Sequence, residues 1–494
     1  MSSVSPEQLD GVMTFGVDAP DTLPALVTMV GGASQVLGEL VEIASTPHVD
    51  SRLRGRALDD ADIEGAPVLK VTPGDTVVAS VGGAPVWVER AGRRHTAVSL
   101  GPGELPEGVS LRSMLAPGRW LGVVPLVSFI RALVSEVDLA PPPPKACFVM
   151  DDPNLHTARY GYLGYRELIR HGDRLGHHTS IAMVPLDAYF ARSGVVGLFR
   201  DNRSRLSLSI HGNDHRKHEL DSFIDADDRV GALSQSLERM SRFERRTGLH
   251  VERIMVPPHE AASLETVVDL AALGFEAATM TRTEPWAGPW PGVSALAGWL
   301  PAHVGEGVPV ISRFPLGTPP DEIALHAFLD QPLVVYGHHW DLRDGLDILE
   351  TYVTDFARLE GLEWVSLEAI SRSNYAARAE HATLTVRPYG STIDVDVPGD
   401  VDQIRLELPA TFDWCAPSEL AVSIDGTVSS PFLHDGDSVP LEVKASTRVR
   451  IDLLHPSQPL VAGAKRQQAW PLARRLLTEA RDRATPAVDT VLRR

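Results

Sequence analysis

A chain of 494 residues with 43% hydrophobic and 22% charged side chains reads as a soluble globular protein of two to four domains. Its formal charge of −19 argues against nucleic acid or an anionic membrane as partner, since both need a basic face. Two cysteines far apart, Cys147 and Cys415, leave no disulfide framework and no cysteine-rich zinc site.

The amino terminus, "MSSVSPEQLDGVMTFG", has neither the basic start nor the apolar stretch of a secretory signal, and no segment is apolar for the length of a bilayer. The expected location is cytoplasmic. Residues 1–140 mix Gly-rich turns with short apolar runs such as "TVVASV" and "PVWVE", the pattern of an α/β domain, and carry no catalytic constellation. "APPPPK" at 140–145 cannot continue a helix or enter a sheet interior, so it marks a boundary.

From 145 to 376 the pattern changes. Short runs rich in branched residues recur at 145–150, 179–184, 206–210, 252–256, 276–280, 308–312, 332–337 and 363–367, with amphipathic segments between most of them. Repeated βα alternation predicts a (β/α) barrel of seven or eight parallel strands, with a doubly wound open sheet as the rival. From 377 to 460 the residues alternate with period two between Gly and Pro, which predicts a small antiparallel β-sandwich. Residues 461–494 end in an amphipathic helix with a mixed-charge face, read as a docked terminal helix.

Chemistry gathers where predicted strands end. "FVMDDPNLH" closes the first barrel strand on Asp151 and Asp152, and "SLSIHGNDHRKHE" closes the third on His211, with His215 four residues later. On a helical turn that spacing would bring both imidazoles to one face. "VPPHE" (256–260) and "YGHHWD" (336–341) end two further strands. Strand carboxyl ends of a parallel barrel share one rim, where active sites are built. A mixed O/N donor set without thiolates suits zinc or another divalent first-row metal.

This constellation resembles the polysaccharide deacetylases of carbohydrate esterase family 4. Asp151–Asp152 is similar to the family's first motif, His211/His215 in "HGNDH" to the second, "VPPH" in part to the third, and Tyr336-Gly337-His338 to the fifth. The resemblance implies a divalent ion, most simply zinc, held by Asp152, His211 and His215. It implies Asp151 as general base, His338 as the acid that protonates the leaving amine, and an oxyanion donor near His259. The substrate would be a carbohydrate or an N-acetylated small molecule, cleaved at an amide or ester. The departures are Pro153 in place of a glycine, Val256 in place of the arginine that orients the base, and His259 in place of a tyrosine. His259 is then the candidate orienter of Asp151, and "MTRTEPW" (280–286) stands near the fourth motif. A non-catalytic carbohydrate-binding barrel, or a metal hydrolase of another bond, are the alternatives.

Other residues admit two readings. Asn154, His156 and Asp214 are rim groups or ordinary caps and turns. His339 competes with His338, and Asp341 could orient either. His218 flanks the metal dyad. Trp286, Trp290 and Trp299 could stack on a sugar or pack a loop. His171, His177 and His178 read as solvated.

Overall fold

The computed structural model describes residues 12–15, 34–90, 95–104, 114–115, 118–135, 139–222, 225–281, 299–302, 308–408, 421–431, 440–454 and 469–492. The chain divides into two compact units. Trp286, Trp290, Cys415 and residues 282–286 of "MTRTEPW" lie outside the described residues.

The first unit holds residues 1–138 with 291–297 and 319–329. Its six-stranded sheet runs in the order 12–15, 95–98, 84–90, 75–81, 40–43, 57–59. Asp60 fixes the chain's exit from the sheet by accepting the N–H groups of Trp120 and Leu121 at 2.8 and 2.7 Å. The helix Pro320–Phe328, which the sequence places between two barrel strands, belongs to this unit. It is fastened by Arg56 to Asp321 (2.6 Å) and by Arg131 to the carbonyl of Phe328 (2.7 Å).

The second unit contains the barrel. Its strands are β1 (Lys145–Asp151), β2 (Thr179–Met183), β3 (Leu206–Ile210), β4 (Ile254–Met255), β5 (Ala277–Met280), β6 (Val310–Pro315), β7 (Leu333–Gly337) and β8 (Glu363–Trp364). All pairs are parallel, β1 closes on both β2 and β7, and the result is a closed seven-stranded barrel. β8 is an extra strand against the first two residues of β1. The open-sheet rival is thereby excluded.

Burial on both faces explains the near-continuous apolar runs: β1 is buried from Ala146 to Asp151, and β2 throughout. Alternation along a strand places Cys147 and Val149 with Ile254, Ile311 and Val334 in one buried cluster. The next residues of the same faces are Asp151 on β1 and Arg313 on β6, so an apolar plug ends where the charged layer begins. Helices between strands start and stop on local signals. Asp225 accepts from the N–H of Asp228 (2.8 Å) to open Ala226–Thr247, and Gly248 at φ 68° closes it.

Beyond the barrel, two four-stranded sheets enclose Val386, Ile393, Ile404, Val422 and Ile451, all fully buried. One pair, Thr383–Pro388 with Gln403–Leu406, is parallel, which corrects the all-antiparallel expectation. Period-two alternation reports which face is buried, and it is the same for either strand direction. The helix Ala469–Leu492 ends the unit, and no described helix is long and apolar enough to cross a membrane.

Candidate metal centre

Asp152, His211 and His215 each offer a ligand atom within 4.8 Å of the others, and Asp152 Oδ1 lies 3.2 Å from His215 Nε2. An ion with bonds of about 2 Å accepts donors at such separations. His211 is buried, and its Nδ1–H donates to the carbonyl of Val256 at 2.8 Å. That bond fixes the tautomer and leaves Nε2, which has no hydrogen-bond partner, as a bare lone pair. An orphaned buried acceptor beside a carboxylate and a second imidazole is what a divalent ion would satisfy. The residues present fit a zinc-class ion.

Electrostatics agree. Burial pulls the imidazoles of His211 and His215 down to about 4 and about 3, against the opposing pull of the Asp152 carboxylate. Burial raises the Asp152 carboxyl, but His215, Arg475 and His211 outweigh it and hold the group well below the usual carboxylate range. At neutral pH the set is therefore two neutral imidazoles and one carboxylate, the states that ligate.

His211 and His215 do not share a helical turn. Residues 211–215 form a loop, wrapped around the buried carboxylate of Glu219. Glu219 accepts the N–H groups of Asn213, Asp214 and His215 at 3.0, 2.6 and 2.9 Å. Gly212 sits at φ 62°, and a Cβ there would come within 2.5 Å of both Glu219 Oε2 and Pro258 Cγ. Gly212→Ala should cost about 1–3 kcal/mol of stability. It should also weaken zinc binding, because it displaces the carboxylate that shapes the loop; thermal unfolding and a zinc titration read both.

Backbone strain concentrates on this rim. Of the nine described non-glycine residues with positive φ, five are Asp152, His215, His218, His259 and Glu260. Such conformations persist only where the surroundings impose them, and they cluster at functional sites.

Asp151 is anchored by a residue the sequence reading did not single out. Arg313 donates from Nη1 and Nη2 to the two oxygens of Asp151, at 3.0 and 2.9 Å, and also to Glu260. Its guanidinium lies 3.9 Å from the centroid of the Tyr336 ring. Val256 offers Asp151 no cation, and the arginine that meets it comes from β6. His259, expected to orient Asp151, instead packs its ring on that of His215, with centroids 5.0 Å apart. The signal for Arg313 was available: in "VISRF" an arginine shares the inward face with Ile311.

The remaining rim groups separate cleanly. His338 is exposed, and its backbone N–H donates to the carboxylate of Asp341 at 2.8 Å. His339 is buried, with its ring against those of Tyr160, Tyr162 and Trp340, and a Cβ on Gly161 would strike it. His156 is buried, bonded to Glu479 and to the carbonyl of Asp187, and Asn154 is bonded to Asp187. Asp214 pairs with Arg239 at 2.7 Å, and His218 pairs with Asp221 near the surface. Trp299 is half-buried. His171, His177 and His178 are buried rather than solvated, with His171 and His177 bonded to each other at 2.8 Å.

No family model and no curated protein matches the sequence. Among solved structures, a Mycobacterium smegmatis protein assigned to the polysaccharide deacetylases is similar at 16% identity and TM-score 0.31, over 47% of this chain and 93% of that one. A family 4 carbohydrate esterase from Streptomyces lividans, in complex with acetate, is similar at 12% and 0.28, over 49% and 99%. A pseudoenzyme of the same family from Bacillus anthracis is similar at 11% and 0.27, over 45% and 68%. On its own strand order the chain has a closed seven-stranded parallel barrel, which brings Asp152, His211 and His215 together at one rim.

Proposed function

We propose that the chain is a metal-dependent hydrolase that removes an acetyl group from a carbohydrate or a soluble sugar conjugate. The observation that carries this is one rim where a ready ligand set lies beside a second carboxylate that is anchored without being a ligand. Asp152, His211 and His215 would hold the ion. Bound there, a zinc-class ion supplies Lewis acidity, acidifying water and polarising a carbonyl oxygen.

The chain's own groups do the rest. Asp151 removes a proton from the attacking water, and Arg313 keeps its carboxylate aimed while it does so. Water adds to the acyl carbon, the C–N bond breaks, and His338 delivers a proton to the departing amine. The non-catalytic reading rests on the absent arginine at Val256; what favours the catalytic one is that Arg313 holds Asp151 from β6.

The test is hydrolysis of a panel of N-acetylated saccharides by zinc-loaded and chelator-stripped protein. Loaded protein should release acetate, and stripped protein should not. Zinc affinity should hold from pH 7 to about 5, lower than the onset near 6 expected of solvated histidines. Release of acetate by stripped protein would sink the metal role. Binding of saccharides without any turnover would restore the non-catalytic barrel.

A further inference from the structure

The terminal helix Ala469–Leu492 turns charge inward. Arg475, Glu479 and Asp482 follow one another at spacings of four and three, which puts them on one face, and all three are buried. Buried charges are tolerated only when paired, and each of these is. Glu479 meets His156 Nδ1 at 2.6 Å, and Asp482 accepts the hydroxyl of Tyr160 at 2.8 Å. Arg475 donates to Asp187 Oδ2 at 2.8 Å, to Asp152 Oδ1 at 3.2 Å and to the carbonyl of Asp152 at 3.0 Å. Its neighbour Arg474 donates to the carbonyls of Asp214 and His215, both at 2.7 Å.

Two adjacent arginines therefore bond the backbone carbonyls of two residues that are both candidate ligands. Asp152 at φ 82° and His215 at φ 54° are also two of the strained positions. Each left-handed conformation costs on the order of 1–3 kcal/mol and needs an external hold. Glu219 holds His215 by its N–H; the arginines hold both residues by their carbonyls.

We propose that Arg474 and Arg475 are positioning residues of the metal centre, a clamp that presets Asp152 and His215 for the ion and links metal binding to docking of the terminal helix. This rests on the metal-site reading above. Linkage is reciprocal, so the ion must tighten the helix as much as the helix tightens the ion.

The experiment uses full-length protein and zinc alone, titrated against a chromophoric chelator. Arg475→Gln and Arg474→Gln should each weaken zinc about 10- to 100-fold, the usual effect of losing a group that orients a ligand. Arg475→Lys keeps the charge and loses the fork, so it should fall between; it decides the matter if the glutamine variant does not fold. Glu479→Gln loosens the same helix at His156 without removing a bond to either ligand, and should weaken zinc much less than Arg475→Gln does. Zinc should slow amide exchange along 469–486 in the parent, and less in Arg475→Gln. Equal affinity in parent and Arg475 variants overturns the clamp while leaving the metal site standing. Equal losses in Glu479→Gln and Arg475→Gln also overturn it, because they reduce the arginines to helix anchors. A parent that takes up no zinc overturns the site itself, and the clamp with it.

Discussion

Arg313→Met should be the most destabilising single substitution on the rim, costing on the order of 3–5 kcal/mol in urea denaturation. Arg313 and Asp151 have side chains only 1% and 2% exposed, so neither charge can turn to water. Methionine keeps much of the volume against Tyr336 but leaves the Asp151 carboxylate buried with no counter-ion, and takes from Glu260 its bond to the guanidinium. That penalty belongs to the orphaned charge rather than to the lost bonds. Adding Asp151→Asn to Arg313→Met should therefore recover part of the loss, and the two changes should be clearly non-additive. Zinc should still bind to Arg313→Met, since its ligands are elsewhere, while acetate release collapses for want of an aimed base. A single variant as stable as the parent would mean that the pair is not the structural core of the rim.

The barrel was legible because buried parallel strands leave continuous apolar runs, and eight of these recurred with amphipathic segments between most of them. The candidate ligands were legible because acidic and imidazole groups stood at the ends of those runs. The helical turn expected from the spacing of His211 and His215 is absent, although the two rings do lie together. A spacing of four suggests a helical turn, whereas a loop around Glu219 brings the rings to centroids 5.0 Å apart. Arg313 escaped notice because its partner is 162 positions away, although its place beside Ile311 on an inward face was a usable sign. Arg475 offered no sign. Its helix buries Arg475, Glu479 and Asp482 while leaving Trp470 70% and Leu477 67% exposed, the reverse of the amphipathic rule from which a docked face is read. His171, His177 and His178 failed the same way, since polar residues near a helix end look solvated until the strand beneath them is placed.

Asparagine at Asp151 and at Asp152 should disable the protein in two different ways. β1 ends at Asp151, whose side chain continues the inward series of Cys147 and Val149. Its two oxygens are taken by Arg313, but a carboxylate has about four acceptor positions, so the anchored group can still receive a proton. Asp152 leaves the strand at φ 82°, a turn that sets its Oδ1 3.2 Å from His215 Nε2. Asparagine tolerates that left-handed backbone and keeps the shape, so Asp152→Asn tests charge and ligation rather than folding. It should lose zinc and, with it, turnover. Asp151→Asn should keep zinc and saccharide binding, and lose on the order of 10²–10⁴ in kcat, the usual worth of a general base. A zinc titration and an acetate-release rate on the two variants separate these outcomes. If Asp151→Asn turns over as fast as the parent on a substrate the parent accepts, Asp151 is no base, and Arg313 holds it there for structure alone. If Asp152→Asn binds zinc undiminished, the ion is held elsewhere.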